Sequence, residues 1–339
     1  MPLIFKIVII QDEYFKKRKV KEIIKNPFWF IRLGFRILKI KLLSIFNDNY
    51  SDPYRLMVKM GTDCNYRCRM CGSWKSEPET ISKDKFKFSL QKIKGDLLFL
   101  SITGGEPFLN PEVIKMIVEE TKEKNKNLKY ISINTNCSLP EVVEKTVSEL
   151  LEDFPDSIIF LGLHRIPNRS WGVEKTRIDS SYQNYKKTEN LCKKLKKRYG
   201  EKFSFYKTLT ISTEKDLSID PKDSWINFAE INSFYGNSEN DYIEELNPED
   251  KLKYLRKYKK NKRSFLNKTY TRQLKKTIKK GKKRKCYAGI NRVYMDSRGV
   301  LKICNRGVEK REKMNEDCSS CWTACEASFD LLNDFFLPF

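Results

Sequence analysis

Six apolar, β-rich runs alternate with helical patterns through the first two thirds of the chain, and this alternation restricts the fold more than any other feature. The runs are YRLMVKMG, LLFLSITGG, KYISINTN, SIIFLGLH, FSFYKTLTIS and a weaker WINFAEI. Helical patterns lie between the first five: ISKDKFKFSLQKIK, PEVIKMIVEETKEKN, PEVVEKTVSELLEDF and SYQNYKKTENLCKKLKKRYG. Strands joined through helices form parallel sheets with right-handed crossovers. We therefore predict an α/β fold that binds its ligands at the carboxyl ends of the strands.

Three cysteines, Cys64, Cys68 and Cys71, follow the first predicted strand within eight residues. The spacing Cys-x3-Cys-x2-Cys offers three thiolates from one loop, so it suits a cubane iron-sulfur cluster with one iron that lacks a protein ligand. That iron could bind a substrate or a cofactor. A structural zinc site closes its coordination with four ligands, so zinc would need a cysteine from a distant part of the chain.

A second motif, SITGGEPFLNP, ends the second predicted strand. Gly104 and Gly105 permit a backbone that approaches a ligand closely, and Glu106 adds an acceptor beside it. A turn of this composition could also be only a strand-to-helix connection.

Together these motifs resemble the radical S-adenosylmethionine (radical SAM) enzymes, including Tyr66 and Met70 between the cysteines. The resemblance implies a partial (β/α)6 TIM-like barrel and a [4Fe-4S] cluster whose open iron chelates S-adenosylmethionine. One electron from the reduced cluster then cleaves the cofactor, and the resulting 5'-deoxyadenosyl radical abstracts a substrate hydrogen. The resemblance also implies an electron donor such as a flavodoxin or ferredoxin. By the same resemblance, the residues near the cofactor are Gly104, Gly105, Glu106 and Pro107 at its methionine amino group, and Thr135 and Asn136 at its ribose.

Other residues of the core receive no catalytic role. Cys137 stands where the family commonly has glycine, and both Cys137 and Cys192 are predicted to be buried thiols because they lack metal-ligand spacing. His164, the only histidine, follows the fourth predicted strand and is assigned no role.

Five further cysteines occupy the C-terminal region, around a predicted hairpin turn at YMDSRG. They are sufficient for a second cluster, although Cys-x2-Cys pairs also serve zinc. The arrangement resembles the SPASM or shorter twitch extension of radical SAM enzymes, which carries auxiliary [4Fe-4S] clusters. A full SPASM region has seven cysteines, so five favour one auxiliary cluster. Its ligands would be Cys286, Cys304, Cys321 and either Cys318 or Cys325.

Positive charge is concentrated in residues 251–285, which contain no Asp or Glu and contribute most of the net charge of +23. Such a run attracts phosphate, nucleic acid or an anionic membrane, and the same pattern also fits a solvated helical face. Near the N-terminus, FWFIRLGFRILKIKLLSIF carries Arg32, Arg36 and Lys39 at helical spacing. This helix is too charged to span a membrane, and it fits either a membrane interface or packing on the main domain.

The predicted organisation has four parts: an amphipathic helical segment at 1–50, the radical SAM core at 51–250, a basic helical linker at 251–285 and a small cysteine-rich α+β extension at 286–339. Lys6 interrupts the opening apolar run and no cleavage site follows, so we predict a cytoplasmic protein, with peripheral contact at the inner face of the membrane as an open alternative. In a reducing compartment, clustered cysteines indicate metal rather than disulfides.

The predicted function is oxidoreductase or transferase-type radical chemistry on a peptide or protein side chain, or on an anionic small molecule. A second hypothesis is membrane-lipid or glycolipid biosynthesis by the same chemistry. A third, of another class, is a zinc-bearing, basic nucleic-acid-binding protein; it leaves the first cysteine loop unexplained, and no recognition signature of an RNA-binding module is visible.

Overall fold

The structure is a computed structural model that describes residue 35 and residues 53–68, 70–165, 175–220, 224–228, 246–257, 274–275, 278–279 and 291–304. The chain divides into two compact units. One comprises Asn49–Glu245 and Ala288–Lys313, and the other comprises Met1–Asp48, Leu246–Tyr287 and Met314–Phe339. The sheet described next belongs to the first unit.

Eight strands of the described residues form one sheet in the order β6-β5-β4-β3-β2-β1-β7-β8. Seven of them run parallel, and only β8 is antiparallel, paired with β7. The mostly parallel sheet confirms the predicted α/β fold and is consistent with a partial TIM-like barrel. The strands are β1 (Arg55–Lys59), β2 (Phe99–Thr103), β3 (Tyr130–Thr135), β4 (Ile158–Arg165), β5 (Phe203–Ile211), β6 (Ser224–Phe228), β7 (Arg292–Met295) and β8 (Leu301–Lys302).

Four helices connect β1 to β5, as the sequence predicts. They are α1 (Lys83–Gln91), α2 (Pro111–Lys124), α3 (Pro140–Asp153) and α4 (Lys175–Tyr199), and a fifth helix, α5 (Pro248–Lys257), belongs to the second unit. The hydroxyl of Ser82 caps α1 by accepting the backbone N–H of Lys85. A proline opens both α2 and α3, where its missing N–H costs no helical hydrogen bond.

The core lies between the helices and one face of the sheet. Alternate strand residues such as Val58, Ile102 and Ile133 pack in one buried cluster with helix residues such as Ile117 and Val147. Because side chains alternate across a strand, the intervening residues lie on the opposite face of the sheet. At the amino ends of β2 and β3 that face carries aromatic side chains, and Phe99 stacks on Tyr130 with 4.6 Å between ring centroids.

The predicted hairpin around YMDSRG is present as β7 and β8. The sequence analysis assigns it to the C-terminal extension, whereas β7 lies beside β1 and continues the main sheet in parallel. All four β7 residues are buried, as an interior strand requires. The remainder of the predicted extension lies outside the described residues.

Candidate active site

The cysteine loop, residues 61–71, follows β1 at the carboxyl edge of the parallel strands. Thr62 ties its beginning to the segment before α1. The Thr62 backbone N–H donates to Glu79 O at 2.9 Å, and the Thr62 hydroxyl both donates to Glu77 O at 2.8 Å and accepts from Glu79 N at 2.9 Å. The loop is thus anchored to a second chain segment before it reaches its first cysteine.

The turn after β2 forms a second brace for the cysteine loop. The Gly105 N–H donates to Gly61 O at 3.1 Å, and the Glu106 N–H donates to Asp63 O at 2.7 Å. A Cβ atom on Gly105 would lie 1.9 Å from Asp63 O, so only glycine allows this contact. The close backbone approach expected of the two glycines is therefore made, in this structure, to the cysteine loop itself.

The three loop thiols are half-buried and lie near enough to influence one another. Burial raises the pKa of Cys64 to about 11 and raises the pKa of Cys68, and the charges of the neighbouring loop cysteines add to both shifts. The Cys68 carbonyl accepts hydrogen bonds from Cys71 N at 3.0 Å and from Trp74 Nε1 at 3.1 Å, which orders the second half of the loop.

This donor set fits an iron-sulfur cluster in its chemistry, since three sulfur ligands come from one loop. Binding of iron would displace the thiol protons that burial otherwise retains. In the part of the chain that the structure describes, no three His, Cys, Asp or Glu side chains are grouped so that they could hold a metal ion.

Glu106 is buried, with 2% of its surface exposed, and its carboxylate joins the ends of β2 and β3. It accepts hydrogen bonds from Phe108 N at 3.2 Å, Thr135 Oγ1 at 2.9 Å and Asn136 N at 2.6 Å. Burial raises the pKa of Glu106 to about 7, although these three hydrogen bonds favour its ionised form.

The structure therefore brings together the two predicted cofactor elements, Gly104 to Pro107 and Thr135 with Asn136, next to the cysteine loop. Asn136 contacts that loop directly: its Nδ2 lies 3.0 Å from Asn65 Oδ1 and 3.8 Å from Cys64 Sγ. Of the five predicted C-terminal ligands, Cys304 is described and half-buried after β8. The other four, Cys286, Cys318, Cys321 and Cys325, lie outside the described residues.

The structure also describes Cys137, Cys192 and His164, to which the sequence analysis assigns no catalytic role. Cys137 and Cys192 are both fully buried thiols, and Cys137 has a positive φ of 66°. This backbone conformation explains why a glycine suits the position. Burial lowers the pKa of His164 to about 4, which keeps its imidazole neutral at physiological pH.

The sequence analysis does not identify three further residues that the structure places near the loop. Ser212, after β5, contacts Met70 of the loop at 3.0 Å between Oγ and Sδ. Ser297, in the hairpin turn, donates to Glu79 Oε2 at 2.7 Å. Lys59, at the end of β1, is partly buried, which lowers its pKa, while the neighbouring Cys71, Asp296 and Glu79 oppose that shift. No motif marks these residues, because each contact joins segments that are distant in sequence.

Fold and site together define an α/β protein whose parallel sheet carries a three-thiol loop at its carboxyl edge. Residues 58–218, a little less than half of the chain, match the model of the Radical SAM superfamily. The matching stretch runs from the end of β1 to just beyond β5, and it is similar to a radical SAM superfamily domain.

Comparison with solved structures finds likenesses of fold. A crystal structure of SuiB from Streptococcus suis is 14% identical in sequence, with 91% of this chain and 77% of SuiB covered and a TM-score of 0.50. A structure of anSMEcpe with bound AdoMet and a Cp18Cys peptide is 18% identical, with 83% of each chain covered and a TM-score of 0.49. No curated protein matches the chain.

Proposed function

We propose that this protein is a radical SAM enzyme that cleaves S-adenosylmethionine reductively and uses the resulting 5'-deoxyadenosyl radical to abstract a hydrogen atom from its substrate. One observation carries the proposal. The loop that carries Cys64, Cys68 and Cys71 follows β1 at the carboxyl edge of the sheet and is braced by Gly105 and Glu106, within the stretch that matches the superfamily.

Different residues of the chain would bind the cluster and the cofactor. Cys64, Cys68 and Cys71 would hold a [4Fe-4S] cluster, which when bound supplies one electron to the cofactor. The segment Gly104 to Pro107 would bind the methionine end of S-adenosylmethionine. The Glu106 carboxylate already accepts three hydrogen bonds from the protein, so the cofactor's amino group would donate mainly to backbone carbonyls of this segment.

The substrate is proposed to be anionic. Within the bounds that the structure gives for β1 to β7, no strand contains Asp or Glu, whereas Arg55 and Lys59 of β1 and Arg292 of β7 are basic. Lys59, Asn134 and Tyr206 lie on the sheet face opposite the helix-packed core, and the Tyr206 hydroxyl donates to Asn134 Oδ1 at 2.9 Å. An anionic small molecule suits such a face, and a peptide or protein side chain remains the alternative substrate.

Loss of one loop cysteine tests this proposal. Anaerobically reconstituted full chain should carry about eight irons, in two cubanes, and Cys68→Ala should lose about half of them. Electron paramagnetic resonance (EPR) spectra of the reduced wild type should change when S-adenosylmethionine is added, and those of the variant should not. Zinc in place of iron would instead favour the zinc-binding alternative, and an undiminished iron content in Cys68→Ala would refute Cys68 as a cluster ligand.

Lipid or glycolipid biosynthesis remains a second proposal, which depends on the N-terminal amphipathic segment. That segment lies outside the described residues except for Phe35, which is helical and 68% exposed. In the described part of the chain, no helix is both long and apolar enough to cross a bilayer. Binding to anionic vesicles that weakens with added salt would support membrane contact.

A further inference from the structure

Asn136 holds its side-chain amide in one orientation. Its Oδ1 accepts the backbone N–H of Ser138 at 2.9 Å, so its Nδ2 faces the other way. There Nδ2 lies within hydrogen-bonding distance of Asn65 Oδ1, at 3.0 Å, and of Cys64 Sγ, at 3.8 Å. An amide carries two N–H donors, so one can serve each acceptor. The amide thus presents a donor, not an acceptor, to the cysteine sulfur.

The backbone of Asn136 is anchored as well. Its N–H donates to Glu106 Oε2 at 2.6 Å, which fixes the residue at the carboxyl end of β3. On the loop side, the side chain of Asn65 bonds the Ser138 hydroxyl, with its Nδ2 2.9 Å and its Oδ1 3.2 Å from Ser138 Oγ. Ser138 in turn accepts from Asn184 Nδ2 of α4 at 3.1 Å through its carbonyl oxygen. These bonds place Asn136 between the cysteine loop and the rest of the domain.

Cys64 therefore has two nitrogen donors directed at its sulfur: the Asn136 amide and the backbone N–H of Tyr66, which lies 3.5 Å away. Hydrogen bonds to the ligand sulfurs of an iron-sulfur cluster stabilise negative charge on those sulfurs. Reduction adds one electron to the cluster, so a donor at this sulfur stabilises the reduced form more than the oxidised form. Such a donor raises the reduction potential.

We propose that Asn136 is a positioning residue for the iron-sulfur cluster: its side-chain amide donates an N–H···S hydrogen bond to Cys64 and thereby raises the reduction potential of the cluster. This inference rests on the proposed function, because it requires a cluster on Cys64, Cys68 and Cys71. It gives Asn136 a role other than the expected contact with the cofactor ribose. A raised potential would ease transfer of the electron from the physiological donor to the cluster.

A redox titration of the reconstituted full chain tests the inference. Sodium dithionite supplies the one electron per cluster, and the EPR signal that changes on addition of S-adenosylmethionine reports the loop cluster separately from any auxiliary cluster. Asn136→Leu removes the amide at similar volume. Asn136→Asp keeps an acceptor for the Ser138 N–H but removes both N–H donors. Asn134→Leu, two residues earlier on β3, is the matched control because Asn134 bonds Tyr206 and not a cysteine.

Both Asn136 variants should take up iron and titrate at a more negative potential than the wild type, while Asn134→Leu should titrate with the wild type. Wild-type potentials in both Asn136 variants would overturn the inference. A second measurement uses the wild type alone, in case the variants assemble no cluster. The reduced protein labelled with ¹⁵N-asparagine should show a weak ¹⁵N coupling to the cluster by electron–nuclear double resonance. Absence of this coupling also overturns the inference. If the wild type itself binds no loop cluster, the proposed function fails. If the wild type binds the cluster but both Asn136 variants titrate at its potential, this inference alone fails.

Discussion

Glu106 and Asn136 are joined by a hydrogen bond of 2.6 Å from the Asn136 backbone N–H to Glu106 Oε2. This contact links the turn after β2, which braces the cysteine loop, to the end of β3, which contacts Cys64. A single buried carboxylate therefore holds together the two segments that the sequence analysis assigns to the cofactor.

The first prediction concerns the pH dependence of stability. Burial raises the pKa of Glu106 to about 7, above its ordinary value of 4.5. The folded state thus binds this proton more tightly than the unfolded state. The resulting stabilisation is complete below about pH 4.5 and is lost as the pH rises through about 7, a change of roughly 3 kcal/mol.

Glu106→Gln should remove this contribution, so the free energy of unfolding of the iron-free protein should fall less steeply between pH 5 and 7.5 than in the wild type. Urea unfolding at several pH values measures the slope. Glu112→Gln, at an exposed position in the first turn of α2, is the control and should leave the slope unchanged. Parallel curves for the wild type and Glu106→Gln would contradict the assignment.

The second prediction concerns the left-handed backbone at Cys137. Valine is β-branched and tolerates a φ of 66° poorly, so Cys137→Val should lower the free energy of unfolding by about 2 kcal/mol. Cys137→Gly should change it by less than about 1 kcal/mol, because relief of backbone strain offsets the lost burial of the thiol. Cys192→Val, which adds the same methyl group in the regular backbone of α4, is the control. Equal losses in the two valine variants would show that packing, not backbone strain, sets the cost.

The third prediction concerns the contact between Gly105 and Asp63. Because an added Cβ would lie 1.9 Å from Asp63 O, Gly105→Ala must displace the cysteine loop. We expect about half of the bound iron to be lost after anaerobic reconstitution. Gly200→Ala is the control: its φ of 57° makes the substitution strained, yet nothing lies within 4 Å of the Cβ it would add, so strain without a clash at the loop should leave the iron content unchanged. Full iron content in Gly105→Ala would mean that the loop tolerates displacement.

The fourth prediction concerns the auxiliary cluster. If Cys286 and Cys304 are ligands, their alanine variants should lose about four irons while the loop cluster still forms. Substrate turnover should then fall more than uncoupled cofactor cleavage, because the loop cluster and not the auxiliary one is proposed to chelate the cofactor. Full iron retention in both variants would refute this ligand assignment.

Local patterns in the sequence predict most of the described fold. All six predicted strands and the four helices between the first five are present. They were predictable because buried apolar residues repeat with the period of the element, two residues in a strand and 3.6 in a helix. Helix α4 begins at Lys175, six residues before the predicted start at Ser181, since its first turns carry no periodic apolar pattern. The pairing of β7 with β1 was not predictable, because strand order depends on contacts between distant segments.

The sequence indicates candidate site residues but not their contacts. Cysteine spacing and the Gly-Gly-Glu-Pro turn mark the two segments that are predicted to hold the cluster and the cofactor. The partner of Gly105 is Asp63 of the cysteine loop, however, and the partners of Glu106 are Thr135 and Asn136. A glycine in a sequence indicates a close approach without indicating what approaches.

The most direct test of the central claim is the release of 5'-deoxyadenosine from S-adenosylmethionine, measured by liquid chromatography and mass spectrometry under anaerobic, reducing conditions. The reconstituted full chain should release it, Cys192→Ala should release it like the wild type, and Cys68→Ala should release none. Release by Cys68→Ala at the wild-type level, or no release by wild type that carries a full complement of iron, would contradict the assignment of this protein as a radical SAM enzyme.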